Sequence, residues 1–138
     1  MRIVTSSAEE TINAGKTFAK SLPKGAIICF FGDLAAGKTT FIKGLVQEIN
    51  KSSLDDVCSP TFAYLNIYPG TPTVYHFDLY RLRDFDEFLS MGFDEFMHDR
   101  NSICCVEWSE RIALFIPSNC VKITIKVLEE MQREIVIE

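Results

Sequence analysis

Apolar side chains along this chain follow two periods in turn: runs or alternations that suit strands, and a recurrence every three or four residues that suits helices. The run Ala26-Ile27-Ile28-Cys29-Phe30-Phe31 predicts a buried strand. Close behind it, Phe41, Ile42, Leu45, Val46 and Ile49 fall at helical spacing. Upstream, Met1 to Val4 predicts a short edge strand, and a helix follows with the buried stripe Ala8, Ile12, Gly15, Ala19 and Leu22. Pro23-Lys24-Gly25 stops that helix, and its start carries two competing capping boxes, Ser6-Ser7-Ala8-Glu9 and Ser7-Ala8-Glu9-Glu10.

Beyond the polar loop Lys51 to Asp56, the segment Val57-Cys58-Ser59-Pro60-Thr61-Phe62 leads into a strand predicted over Ala63 to Tyr68. Pro69-Gly70-Thr71-Pro72 makes a turn into a second strand, Thr73 to Asp78, so the two form a hairpin. Asp84 to Leu89 and Phe93 to Met97 read as short helices packed through Phe85, Phe88, Leu89, Phe93 and Phe96. Ile103-Cys104-Cys105-Val106 is apolar throughout, the mark of an interior parallel strand. Val121, Ile123, Ile125 and Val127 alternate with polar residues, and with Arg133 to Ile137 they predict a half-buried antiparallel hairpin. The order is that of one α/β domain over residues 1–138, with a mixed, mostly parallel central sheet flanked by helices and bordered by antiparallel hairpins.

Composition agrees with that picture. A chain of 138 residues, 47% hydrophobic, can bury one sizeable core and is short for two. No run reaches the ~18 apolar residues of a membrane span, and Met1 to Ser6 lacks the apolar core of a signal peptide, so a cytoplasmic location without membrane contact is expected. A net charge of −5 gives no broad basic surface for gripping nucleic acid. The cysteines Cys29, Cys58, Cys104, Cys105 and Cys120 are odd in number and lack metal-type spacing; buried reduced thiols are expected.

The chemistry concentrates after the first apolar run. Gly32-Asp33-Leu34-Ala35-Ala36-Gly37-Lys38-Thr39 fits G-x-x-x-x-G-K-[ST], the loop that cradles the phosphates of ATP or GTP, and it stands between a strand and a helix as that loop requires. Its glycines let backbone N–H groups turn toward phosphate oxygens. Lys38 reaches the outer phosphates, Thr39 offers a hydroxyl to Mg²⁺, and the helix N-terminus adds partial positive charge. A second acidic group is then needed at the carboxyl end of a neighbouring strand, and Glu107 and Asp78 both qualify. Thr61 sits between these elements, where a γ-phosphate sensor is often found, although Ser59-Pro60-Thr61 equally suits an ordinary turn. Arg81, Arg83 and Arg111 are placed to balance phosphate or partner charge but read first as solvated surface charges, and His76 and His98, without companions at ligand spacing, as packing or surface residues.

Four blocks carry a wider resemblance: Gly32-Asp33-Leu34 with Ala36-Gly37-Lys38-Thr39-Thr40, then Ser59-Pro60-Thr61-Phe62, then Tyr75-His76-Phe77-Asp78-Leu79-Tyr80-Arg81-Leu82, then Val106-Glu107-Trp108-Ser109-Glu110. In order and spacing the chain closely resembles the TsaE (YjeE) family, small bacterial P-loop ATPases needed to make threonylcarbamoyladenosine beside the tRNA anticodon. The resemblance implies ATP and Mg²⁺ as cofactors, with Gly32 to Thr40 around the phosphates, Thr39 and Glu107 on Mg²⁺, and Asp78 and Thr61 in hydrolysis or sensing. It also implies Trp108 beside the site, and the segment Thr5 to Glu10 and Arg133 close to the nucleotide. The partners it implies are a TsaD-type transferase and a TsaB-type protein whose complex the ATP cycle resets, with tRNA engaged only indirectly. The chain departs from the family at Ala35, where glycine is usual; alanine is tolerated there unless φ is positive. Two other readings remain at this point. One is a small-molecule kinase with residues 81–100 as a mobile lid; the other is a nucleotide-dependent binding module.

Overall fold

The computed structural model describes residues 1–33, 35–51 and 64–138. Leu34 and the segment 52–63, which carries the Ser59-Pro60-Thr61-Phe62 block, Cys58 and the predicted strand start at Ala63, lie outside the described residues. Four strands run parallel at the centre: β2 (Ile27–Phe31) between β6 (Val121–Val127) and β5 (Ser102–Glu107), with β4 (Thr73–Asp78) beyond β5. Antiparallel strands extend both sides: β3 (Leu65–Tyr68) on β4, then β7 (Arg133–Ile137) on β6 and β1 (Arg2–Thr5) on β7. The seven-stranded order is β1-β7-β6-β2-β5-β4-β3. The expected mixed, mostly parallel sheet with hairpins at its flanks is therefore what forms.

Alternation along the strands divides the core in two. Ile28 and Phe30 of β2, Val74 of β4, Ile103 and Cys105 of β5 and Ile123 and Ile125 of β6 face helices α1 (Ala8–Ala19) and α2 (Lys38–Asn50). Phe77, Cys104 and Val106 face the opposite side, against α3 (Phe85–Ser90) and α4 (Phe93–Met97). Every residue of β5 is buried, as its unbroken apolar run requires of a strand covered on both faces.

Helix α1 adopts the second capping register: Ser7 accepts a hydrogen bond from the Glu10 backbone N–H, and Glu10 accepts one from the N–H of Ser6. The buried stripe also differs from the predicted one. Thr11, Gly15 and Ala19 are buried, Ile12 is half-buried, and Ala8, predicted to be inside, is exposed. Thr11 can be inside because its hydroxyl pairs with that of Thr5 at 2.7 Å and donates to the Ser7 carbonyl. Helices α1 and α2 cross at very short range, and two glycines make room. A Cβ on Gly15 would lie 2.2 Å from the Phe41 carbonyl oxygen, and one on Gly44 1.9 Å from that of Ile12.

On the other face, Phe88 and Phe93 are buried, Phe85 and Phe96 are partly buried, and the rings of Phe77, Phe88 and Phe93 meet at 5.5 to 6.0 Å between centroids. Leu89, predicted to pack, is exposed, because a helix of six residues presents one narrow stripe and Phe88 occupies it. Leu82, Phe88, Phe93 and Met97 anchor residues 81–100 in this core, an arrangement unlike a mobile kinase lid. Cys29, Cys104 and Cys105 are buried free thiols. Burial pushes Cys29 and Cys104 up to about 12 and Cys105 well above its ordinary value. Among the described residues no helix is long and apolar enough to cross a membrane.

Candidate functional site

The parallel strands β2, β5 and β4 all deliver their carboxyl ends to one edge of the sheet. Phe30 pairs with Glu107, and Glu107 with Asp78, so the loop after β2 opens directly beside two strand-end carboxylates. Open α/β sheets bind their ligands at such an edge. The loop leads from Gly32 to Gly37 and into α2, whose N-cap Gly37 receives no side-chain capping hydrogen bond. Gly32 and Gly37 have φ of +146° and +112°, values for which glycine is needed. Gly32 also passes so close to β6 that a Cβ would lie 2.5 Å from the Ile125 carbonyl oxygen. Ala35 has φ of +65°, so the condition set by the sequence is met: this alanine sits in the left-handed region that glycine would occupy without strain.

Lys38 is buried, and its ammonium has several neighbours. It donates to the Gly32 carbonyl at 2.7 Å, lies 3.7 Å from Glu107 Oε1, and stands 5.1 Å from the centre of the Trp108 ring. Glu107 is buried as well, and its second oxygen, Oε2, is 2.7 Å from Nε2 of His76. A buried carboxylate survives only when paired and hydrogen-bonded, and here one oxygen faces each partner. Trp108 takes a left-handed conformation, φ +61°, as the chain leaves β5 for a 3-10 turn at Ser109–Ile112. Its ring is held against Tyr80 at 5.0 Å between centroids. Asp78 accepts the backbone N–H of Tyr80 at 3.1 Å. Burial raises the Asp78 carboxyl above the usual range, against the lowering effect of that hydrogen bond, and the Glu107 charge raises it further.

Arg133, at the start of β7, sits across the loop with its Nε near Gly37: a Cβ built there would be 3.9 Å away. Its guanidinium is held by the carbonyls of Glu129, Glu130 and Gln132. Thr5 is the register partner of Arg133 across β1 and β7, so the N-terminal segment also reaches this side of the loop. A cavity of about 370 Å³ lies between Gly32, Asp33 and Ala36 of the loop and Thr124 to Val127 of β6. The structure thus gathers Gly32, Asp33, Ala35, Ala36, Gly37, Lys38, Thr39, Thr40, Asp78, Glu107, Trp108 and Arg133 about one sheet edge. Leu34 and Thr61 lie outside the described residues. Arg81, Arg83 and Arg111 are exposed, as their reading required. His76, expected in an ordinary packing or surface role, is buried and pairs with Glu107. It lies two positions before Asp78 on β4 and therefore on the same face, a signal that alternation alone contains.

A buried strand feeding a glycine-bounded loop into a helix, at the carboxyl end of the parallel central strands, makes this a single α/β domain with a seven-stranded mixed sheet flanked by helices. A family model described as "Threonylcarbamoyl adenosine biosynthesis protein TsaE" matches residues 5–135. The TsaE protein of Treponema pallidum is 37% identical over 99% of both chains, and that of Bacillus subtilis is 36% identical over 95% of this chain and 80% of its own. A crystal structure of Bacillus subtilis YdiB superposes with a TM-score of 0.78 at 30% identity, covering 99% of this chain and 83% of that one. The chain belongs to the TsaE family, and its role lies in tRNA threonylcarbamoyladenosine biosynthesis.

Proposed function

We propose that this protein is a Mg²⁺-dependent ATPase, slow by itself, that serves a TsaD-type transferase and its TsaB-type partner and touches tRNA only through them. The observation that carries the reading is the convergence of Lys38, Glu107 and Asp78 on the loop at the carboxyl ends of β2, β5 and β4. In this reading the N–H groups of Gly32 to Thr40 and the Lys38 ammonium bind the phosphates, so Lys38 leaves the Gly32 carbonyl for them. The Thr39 hydroxyl and the Glu107 carboxylate supply hard oxygen donors, and few of them, which fits Mg²⁺ held largely through phosphate and water. Mg²⁺ bound there neutralises charge that develops on the phosphates.

The remaining work belongs to the chain's own side chains. Asp78 is raised by burial and sits beside Glu107, a suitable setting for orienting a water and taking its proton. Thr61 senses the outer phosphate, Arg133 and the segment near Thr5 border the nucleotide, and Trp108 covers the Lys38 side of the site. Because a phosphate loop works by positioning and charge, a partner that reorders one of these groups can raise the rate. The test is ATP hydrolysis by the purified protein and by Lys38→Ala, each alone and with the TsaD-type and TsaB-type proteins of the same organism. Partner-dependent stimulation that Lys38→Ala abolishes is expected. Turnover by a folded Lys38→Ala protein equal to wild type would overturn the site, and absence of stimulation would overturn the accessory role.

A further inference from the structure

His76 has no exposed surface, and its two ring nitrogens have unequal surroundings. Nε2 is 2.7 Å from Glu107 Oε2, while Nδ1 is buried without a hydrogen-bond partner among the described residues. A neutral imidazole carries its proton on one nitrogen, and among the described residues Nε2 alone has an acceptor to receive it. The Nε2–H therefore donates to Oε2, and this fixes which way the carboxylate turns: Oε2 toward β4, Oε1 toward Lys38 and the loop, 3.7 Å from the ammonium.

We infer that His76 is a positioning residue, which holds Glu107 so that a single oxygen is presented to Mg²⁺ and keeps the carboxylate from closing on Lys38 with both. The competition is physical. Glu107 and Lys38 are both buried, and a buried carboxylate that loses one partner turns its unsatisfied oxygen to the nearest donor. Here that donor is the Lys38 ammonium, which the phosphates need. Partners that stand behind a ligand in this way set metal affinity, and their loss costs on the order of 10- to 100-fold. The inference rests on the assignment of Glu107 to Mg²⁺ made above.

Two variants of like polarity separate positioning from packing. Gln in place of His76 puts an amide N–H where Nε2 stood, whereas Asn puts one only as far out as Nδ1, short of Glu107. The measurement is binding of a non-hydrolysable ATP analogue followed by Trp108 fluorescence, Trp108 being the single tryptophan, with Mg²⁺ titrated from zero. Thermal unfolding is recorded alongside. His76→Gln is expected to keep the wild-type Mg²⁺ midpoint within a few fold, and His76→Asn to raise it about tenfold or more, with Mg²⁺-free binding also weakened because the freed carboxylate then engages Lys38. Equal Mg²⁺ midpoints for the two variants, whether wild-type or shifted together, would overturn the positioning role alone. Mg²⁺-independent binding by the wild-type protein would overturn the Glu107 assignment and this inference with it.

Discussion

Replacing Gly44 with alanine puts a methyl group where helices α1 and α2 cross. The new Cβ would sit 1.9 Å from the Ile12 carbonyl oxygen, about 1.5 Å short of an ordinary van der Waals separation of about 3.4 Å. Backbone cannot rotate away as a side chain can, so the helices must part by roughly an ångström. A gap of that size forfeits about a quarter to a half of the dispersion energy across the contacts it opens, and Phe18, Phe41 and Leu45 are among the residues packed there. Overpacking of a well-filled core costs about 1–3 kcal/mol and at times more; a clash with main chain on an anchored neighbour belongs at the upper end. Alanine returns about 1 kcal/mol of helix propensity, so the net loss is about 2 kcal/mol. With an unfolding entropy of about 2.1 cal/mol/K per residue, a chain of this length should lose roughly 7 °C in Tm. Differential scanning calorimetry checks it, with Asn13→Ala on the exposed face of α1 as a control that should be neutral or slightly stabilising. Helix α2 begins at Lys38, so the same variant should also weaken nucleotide binding. A Gly44→Ala protein as stable as wild type would refute the close crossing and the account of α1 built on it.

Ala35→Gly should stabilise the protein by about 0.5–1 kcal/mol: relief of a left-handed alanine at φ +65° outweighs the added freedom of glycine in the unfolded chain, and chemical denaturation measures the difference. Asp78 ties stability to pH. Its folded-state pKa is raised, chiefly by burial, so its contribution is fully present below the unfolded value of about 3.9 and is lost as pH rises through the folded value. Asp78→Asn should therefore gain Tm relative to wild type as pH climbs through that window, and hydrolysis should fall sharply; parallel Tm curves for the two proteins would count against the shift.

Much of this protein is local chemistry and can be read along the chain. The unbroken run Ile103 to Val106 already demands a strand covered on both faces, because four consecutive apolar side chains cannot all be sheltered by one layer. The alternation from Val121 to Val127 demands a strand with one wetter face, and the glycines and lysine after Phe31 demand a phosphate-type turn into a helix. Strand-end carboxylates at Asp78 and Glu107 follow from the same periodicity. What periodicity does not contain is the angle and depth at which elements meet. The two capping registers of α1 are equivalent in sequence, and only the folded structure decides that Ser7 caps the helix, that Ala8 lies outside and that Thr11 lies inside against Thr5. Whether φ at Ala35 is positive depends on how the loop closes over β6. The pairing of His76 with Glu107 spans two strands that share no local signal, so only the parallel register of β4 on β5, where His76 stands opposite Cys105 and Asp78 opposite Glu107, brings them together. Local propensity acts over a few residues, whereas the burial that makes a lone imidazole and a lone carboxylate need each other exists only after the sheet has formed.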